Sequence, residues 1–545
     1  MSRTLLASAV LSLSSFAFSE NSVDTVSLDA TALYNSFRLE NMVIAGAVPY
    51  LTIDMTNRAT PPQAVIETDV IDPIDTENQS VKQVTQFDKI TLTLDGTHPD
   101  GSAIELWTRT GSSFFSKKGW TEWEKASSLK STLSSLGKNR YLQVRMVLTA
   151  TDKTKLPKIN GLLIIAEKVK IEPFSKSFSK IDIKNERLVV SPIKYEWEKP
   201  DQADVAKFIA KTKYASVFKK RGTEMEKLIA LNTAIAKTPN YEHDGWSDNY
   251  PWSVFELGRF TKKGYEIKGH CMSYAALLAT VLTGLNRYPR HWAISGFRDR
   301  DHEIVDVWVD SLRKWVYLDP SLSTYYQNPE TKEPLSVIEM HNIFVKTFLK
   351  RGESTASMTV KEQKDRVKSM GGGKTAPIIC VDSGWHYGAK NPGYDWGWET
   401  GYMTTCFIRV TTRNNFYSKK EPWFRHFGGG INHNTFLHYV DDHNSPPRSD
   451  TITSYSRRLR DFYPSMNQAA FKASRTGEKS IELEFGNTQP FFKKYLLKID
   501  GKPVPKFTGS SFTWNLKSGV KNTMEVAPED AYGKQGIPSM LIIVP

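Results

Sequence analysis

Gly269-His270-Cys271-Met272-Ser273-Tyr274-Ala275-Ala276-Leu277-Leu278 is the stretch around which the rest of the chain can be read. From Cys271 onward, apolar residues recur at Ala275, Leu278, Leu282 and Leu285, the spacing of a helix face. Gly284, Asn286 and Pro289 close that helix, and Gly269 permits a tight turn into it. Cys271 therefore stands at a helix N-terminus, where the macrodipole and the first-turn N–H groups favour a thiolate. The same N–H groups can donate to an oxyanion forming on a bound carbonyl.

A thiol nucleophile needs a base, and the base needs an orienting partner. His302 opens a strand, Glu303-Ile304-Val305-Asp306-Val307-Trp308-Val309. After a polar turn at Asp310 to Arg313, a second strand, Lys314-Trp315-Val316-Tyr317-Leu318, ends at Asp319-Pro320. Folding this hairpin about its turn brings His302 within about two or three residues of the position facing Asp319. Packing the Cys271 helix across the sheet completes a set of thiol, imidazole and carboxylate.

Gly-x-Cys at a helix start, a His-led strand, then Trp-x-x-x-Asp-Pro resembles the transglutaminase-like superfamily, which includes transglutaminases, peptide N-glycanases and many secreted bacterial proteins. Tyr325-Tyr326 and Pro334-Leu335-Ser336 resemble its bacterial members in particular. The likeness covers about residues 200 to 350. It implies a papain-like α/β core with Cys271 as nucleophile, His302 as general base and acid, and Asp319 as the orienting carboxylate. One departure is visible: many members have His-x-Trp, whereas here Ile304 stands at that position and Trp308 follows later. Tyr250 and Trp252 are the nearest upstream candidates for a side-chain oxyanion donor, and packing suits both better.

Taken singly, each residue has a plainer explanation. A cysteine in an apolar helix is usually a small buried hydrophobe, a histidine at a strand edge is usually structural, and Asp-Pro commonly ends a strand. The three together, in order and with workable geometry, favour chemistry. His270 should point away along the helix start, and His291 and His341 have no comparable context. Gly371-Gly372-Gly373-Lys374-Thr375 imitates a phosphate loop, but the earlier glycine is Lys368 and no apolar strand precedes it. Asp441-Asp442-His443 lacks a second cluster with metal-ligand spacing and reads as a solvated loop. No cofactor and no metal is expected.

The expected architecture is multidomain, α/β plus β. Residues 1–19 carry Arg3, a short apolar run from Leu5 to Phe18, and small residues at Ala17 and Ser19, the pattern of a signal peptide. Residues 20–170 form an N-terminal β-sandwich, with alternation at Ile90-Thr91-Leu92-Thr93-Leu94 and in Tyr141 to Leu148. Its Gly119-Trp120-Thr121-Glu122-Trp123 and Arg140 to Arg145 resemble discoidin-like jelly-roll modules, which implies a sugar- or surface-binding accessory. Residues 171–199 read as a connector, 200–350 as the core, and 351–374 as a second linker. A β-rich domain packed on the core spans 375–470; its aromatic run from Trp385 to Trp398 could line a sugar subsite, and packing against the core suits it better. A fibronectin- or immunoglobulin-like sandwich closes the chain at 471–545.

With 545 residues, 39% hydrophobic and 24% charged, the chain is an ordinary multidomain globular protein. No stretch reaches the roughly 18 apolar residues of a transmembrane helix, so a secreted or periplasmic protein is expected. Its net charge of +13 is spread along the chain. In an exported protein it points away from nucleic acid and towards a polymeric extracellular substrate, such as an anionic polysaccharide or a glycoprotein, or simply to solubility. A carbohydrate-active enzyme on the same scaffold and a non-catalytic surface-binding protein are the rival readings. Three cysteines are an odd number for an exported chain. The economical arrangement pairs Cys380 with Cys406 and leaves Cys271 free. Non-reducing peptide mapping of exported protein tests this: the Cys380 and Cys406 peptides should run linked, and two free thiols there would contradict the pairing.

Overall fold

A computed structural model describes residues 23–55, 62–73, 87–116, 118–134, 136, 139–168, 180–242, 254–297, 300–328, 330–349, 353, 358–359, 361–362, 365, 379–382, 407–414, 436–441, 454–477 and 479–544. They are mostly β-strand. The chain divides into two units, Met1–Pro192 with Asn467–Glu529 and Gln535–Pro545, and Ile193–Met466 with Asp530–Lys534.

The first unit contains two antiparallel sandwiches. In the N-terminal one, Phe87–Thr97 pairs with Lys158–Lys168 in one sheet, and Tyr141–Ala150 pairs with Ser102–Gly111 in the other. Alternate residues of both sheets, among them Leu92, Leu106, Val144, Met146 and Ile164, share one buried core, as expected when each sheet has one apolar face. Trp120 and Trp123 lie under the Arg109 guanidinium, at 5.3 and 4.6 Å, and Arg145 stacks on Trp123 at 4.1 Å.

The second sandwich sets Ala469–Arg475, Ser480–Asn487 and Ser511–Asn515 against a sheet built on Asn522–Asp530 and Ser539–Val544. Part of the stretch expected to be a connector belongs to it. Lys180–Lys184 is a strand paired antiparallel with Ser539–Val544, Ile181 opposite Ile543 and Ile183 opposite Leu541. Lys-Ile-Asp-Ile-Lys is an alternating strand with charges on its outer face, and its two isoleucines pack on the sandwich core.

The second unit is built on a six-stranded sheet. Its order is Lys314–Leu318, Arg300–Val309, Pro289–Phe297, Phe407–Thr411, Phe436–Tyr439 and Ser454–Ser456. Within 375–470, expected as a β-rich domain packed on the core, the described strands Phe407–Thr411, Phe436–Tyr439 and Ser454–Ser456 extend the core's own sheet, Phe407–Thr411 pairing directly with Pro289–Phe297. Ile408, Val410, Leu437 and Tyr439 complete the same core as Trp292, Ile294, Ile304 and Tyr317, with the helix Val337–Phe348 against that side. On the other face, Val305, Val307, Val309, Val316 and Leu318 pack with the helices Cys271–Gly284 and Glu224–Ala236. Thr223 and Glu226 form a capping box that starts the latter helix. Among the described residues, no helix is long and apolar enough to cross a membrane.

Gly284 does more than end its helix. A Cβ there would lie 2.7 Å from Val205 Cγ1 and 2.9 Å from Ile209 Cγ1, so glycine permits the close approach of the Ala203–Lys211 helix. Both neighbours are β-branched and stiff at χ1. Gly284→Val should therefore lower unfolding stability by about 1–3 kcal/mol, read as a fall in the urea midpoint. An unchanged midpoint would mean that the two helices separate freely.

Candidate active site

Gly269 adopts φ +110°, a conformation in which a side chain would be strained, and its carbonyl accepts from Asn240 Nδ2 at 2.6 Å. This turn delivers His270 as the extended cap residue, with no side-chain cap hydrogen bond at the helix start. Cys271 is the first helical residue. It is partly exposed and not in a disulfide, whereas Met272 to Thr283 behind it are all buried. A side chain at the mouth of a buried helix meets both solvent and the first-turn N–H groups.

His302 comes from the adjoining sheet. Val305 pairs with Leu318, so one step further places Ile304 opposite Asp319, and His302 is the next residue on that same face. The diagonal contact forms: His302 Nε2 lies 2.7 Å from Asp319 Oδ2. Asp319 is fully buried and its other oxygen is saturated. Oδ1 accepts from Ser321 N at 3.0 Å, Ser321 Oγ at 2.7 Å and Leu322 N at 3.1 Å. The Tyr317 hydroxyl stands 3.5 Å from Oδ2. The carboxylate is thus oriented by its own turn before it meets the imidazole.

The electrostatics follow from this geometry. Burial alone would push Asp319 up, but His302 and the donors from Ser321 and Leu322 hold it below the usual carboxylate range. Burial alone would push His302 down, but Asp319 and Cys271, each acting by charge and by a hydrogen bond, raise it well above its ordinary value. With Nε2 turned to Asp319, Nδ1 is the nitrogen left for the thiol. An imidazolium held between a carboxylate and a thiol can stabilise a thiolate, pass a proton to a leaving group, and later take one from water.

Thus Cys271, His302 and Asp319 come together. Tyr250 and Trp252 lie outside the described residues, as do residues 1–19, Gly371 to Thr375, Trp385 to Trp398, Cys406, Asp442 and His443; nothing is described of the Cys380 side chain. Ile304, the departure from His-x-Trp, is fully buried directly across from Trp292 in the same core. Trp308 is buried against Trp315, with ring centroids 5.8 Å apart.

Two histidines without sequence context turn out to be buried and paired. His291 lies 3.0 Å from Glu303, and His341 Nε2 is hydrogen-bonded at 2.7 Å to Asp441, which is therefore the partner of a buried histidine rather than simply part of a solvated loop. Among the described residues, no group of three or more His, Cys, Asp or Glu could hold a metal ion. The residues that sequence reasoning missed are the supports of Asp319: Tyr317, Ser321 and Asn232. Asp-Pro-Ser did carry a signal, since Asp bonding to the backbone two residues on is a recurrent turn device.

No family model matches the chain, and no curated protein does. Among solved structures, red sea bream transglutaminase aligns over 85% of this chain and 95% of its own, at 10% identity and TM-score 0.18. A chain described as a "Putative Cysteine Protease" from Cytophaga hutchinsonii aligns over 52% and 78%, at 12% identity and TM-score 0.16. TM-scores this low establish no shared fold, so function has to come from the site itself.

The pair makes stability depend on pH in a definite sense. His302, raised in the folded protein, contributes stability that is fully present below its unfolded value of about 6.5 and lost as pH rises through the raised one. Asp319, depressed, contributes stability present above about 3.9 and lost as pH falls through its folded value. The stability gap between wild type and Asp319→Asn should therefore be widest between about pH 4 and about pH 6.5 and shrink on the alkaline side. Urea titrations across pH check this, and a gap independent of pH would contradict it.

Proposed function

We propose that this chain is a thiol enzyme that cleaves or transfers the acyl group of an amide in an exported, polymeric substrate. The observation that carries the proposal is the His302 ring, held 2.7 Å from the buried Asp319 carboxylate and raised by both that carboxylate and the neighbouring Cys271 at a helix start. In the first half-reaction the Cys271 sulfur attacks the amide carbonyl. The oxyanion develops towards the helix-start N–H groups, and His302 protonates the departing amine, leaving a thioester on Cys271. In the second half, His302 removes a proton from water or an amine, which attacks the thioester and restores the thiol. Asp319 stays ionised throughout and fixes the imidazole's tautomer and orientation.

A signal-like start and a net charge of +13 suit wall peptides or glycoproteins met outside the cell. The discoidin-like features of the N-terminal sandwich suit an accessory module that holds such a polymer.

Activity on wall peptides and glycoproteins, screened with three variants, tests the proposal. Cys271→Ala should abolish turnover while leaving the fold and substrate binding intact. His302→Ala should lose nearly as much, because base and nucleophile act as a unit. Asp319→Asn should keep a residual rate, reduced on the order of 10⁴-fold. Full activity in Cys271→Ala would overturn the thiol mechanism and bring a carbohydrate-cleaving reaction on the same scaffold to the front.

A further inference from the structure

The turn that carries Asp319 is held from behind by a helix that contributes nothing else to the site. Asp319 and Thr324 close this turn on each other: Asp319 N donates to Thr324 O at 2.9 Å, and Thr324 N to Asp319 O at 3.2 Å. Each carbonyl oxygen has a second lone pair. Asn232, on the Glu224–Ala236 helix, fills both, with Nδ2 3.1 Å from Asp319 O and 3.3 Å from Thr324 O. Asn232 is 2% exposed in a helix face otherwise formed by Leu228, Leu231 and Ile235. A buried amide on an apolar face is unfavourable unless it is used. Its orientation is settled by the partners, since Oδ1 in the same place would face two acceptors.

A second tether lies one residue along the same helix. Ser323 Oγ donates to Thr233 Oγ1 at 3.0 Å, and Ser323 is held at φ +62°, a left-handed conformation uncommon for a non-glycine residue. Asp319 Oδ1 thus organises the near end of the turn, while the left-handed residue at its far end is held by the helix. The turn's carbonyl side is fixed by Asn232 while its carboxylate side holds His302.

Resting on the thiol-enzyme reading above, we propose that Asn232 is a positioning residue. By bridging the two carbonyls that close the 319–324 turn, it keeps Asp319 Oδ2 on His302 Nε2. Asn232→Asp, close in shape, exchanges the two donors for an acceptor. Asn232→Ser removes the bridge with a smaller side chain and serves should the first variant not fold.

The test is the rate of iodoacetamide alkylation at Cys271 on the intact protein, from about pH 5 to about pH 10, with Cys271 identified by peptide mapping. In wild type, the inflection at which His302 loses its proton should lie above the ordinary histidine value of about 6.5. In either Asn232 variant that inflection should move down by about one unit or more, with the neutral-pH rate falling about tenfold per unit. A variant that melts earlier but superposes on the wild-type profile would reduce Asn232 to a structural tether and overturn the proposal. A wild-type profile with no inflection from His302 would overturn the thiol reading, and the positioning role with it.

Discussion

The unit around Cys271 depends on one contact, the 2.7 Å approach of His302 Nε2 to a fully buried Asp319 carboxylate. A buried ion pair with one partner missing is strongly destabilising, because the remaining charge has no compensation. Everything around this pair reads as compensation. Ser321 and Leu322 satisfy the far oxygen, Tyr317 stands beside the near one, and Cys271 joins Asp319 in raising His302. The hairpin register sets the diagonal between strand residues, and the helix start sets the depth at which sulfur arrives.

The same sheet explains how a site this demanding is kept in shape. Both of its faces are covered, by the Cys271 helix on one side and by the Val337–Phe348 helix on the other. Its strands therefore carry apolar residues in both directions. A second buried ion pair, Arg290 with Asp306 at 2.6 Å, spans two of the central strands. Arg290 also stacks on the Trp315 ring at 3.5 Å and donates to the Phe462 carbonyl, so its charge too is enclosed by partners. Burial pushes Asp306 up against the pull of Arg290, the reverse of the balance at Asp319. Two carboxylates on one sheet thus differ in their titration because their surroundings differ.

The three central residues were legible because each sits at a boundary that sequence marks well: a helix start after glycine, a strand start, and a strand end before proline. Their order along the hairpin then dictated proximity. What was not legible depended on long-range pairing. Lys180–Lys184 looked like a connector because its lysines and aspartate hid two inward isoleucines, and nothing local announces a partner strand as distant as Ser539–Val544. Phe407–Thr411 looked like part of another domain because a long insertion separates it from Pro289–Phe297. Gly284 resembled a helix stop, and only the neighbouring helix shows why a Cβ is excluded. His291, His341 and Asn232 gave no signal, since their partners come from other elements and a lone polar residue looks alike whether paired or solvated.

The central claim is that His302 is held charged by Asp319 and Cys271 in the folded protein, and an NMR titration of ring-labelled histidine tests it most directly. The His302 signal would be assigned by its loss in His302→Ala. The account predicts that the imidazolium form of His302 persists well above pH 6.5, the ordinary midpoint being about that value. It also predicts that Asp319→Asn returns the midpoint towards or below the ordinary value. A His302 that titrates at or below about 6.5 in the wild-type protein would contradict the account, because the imidazole would then be neutral where its charge is needed.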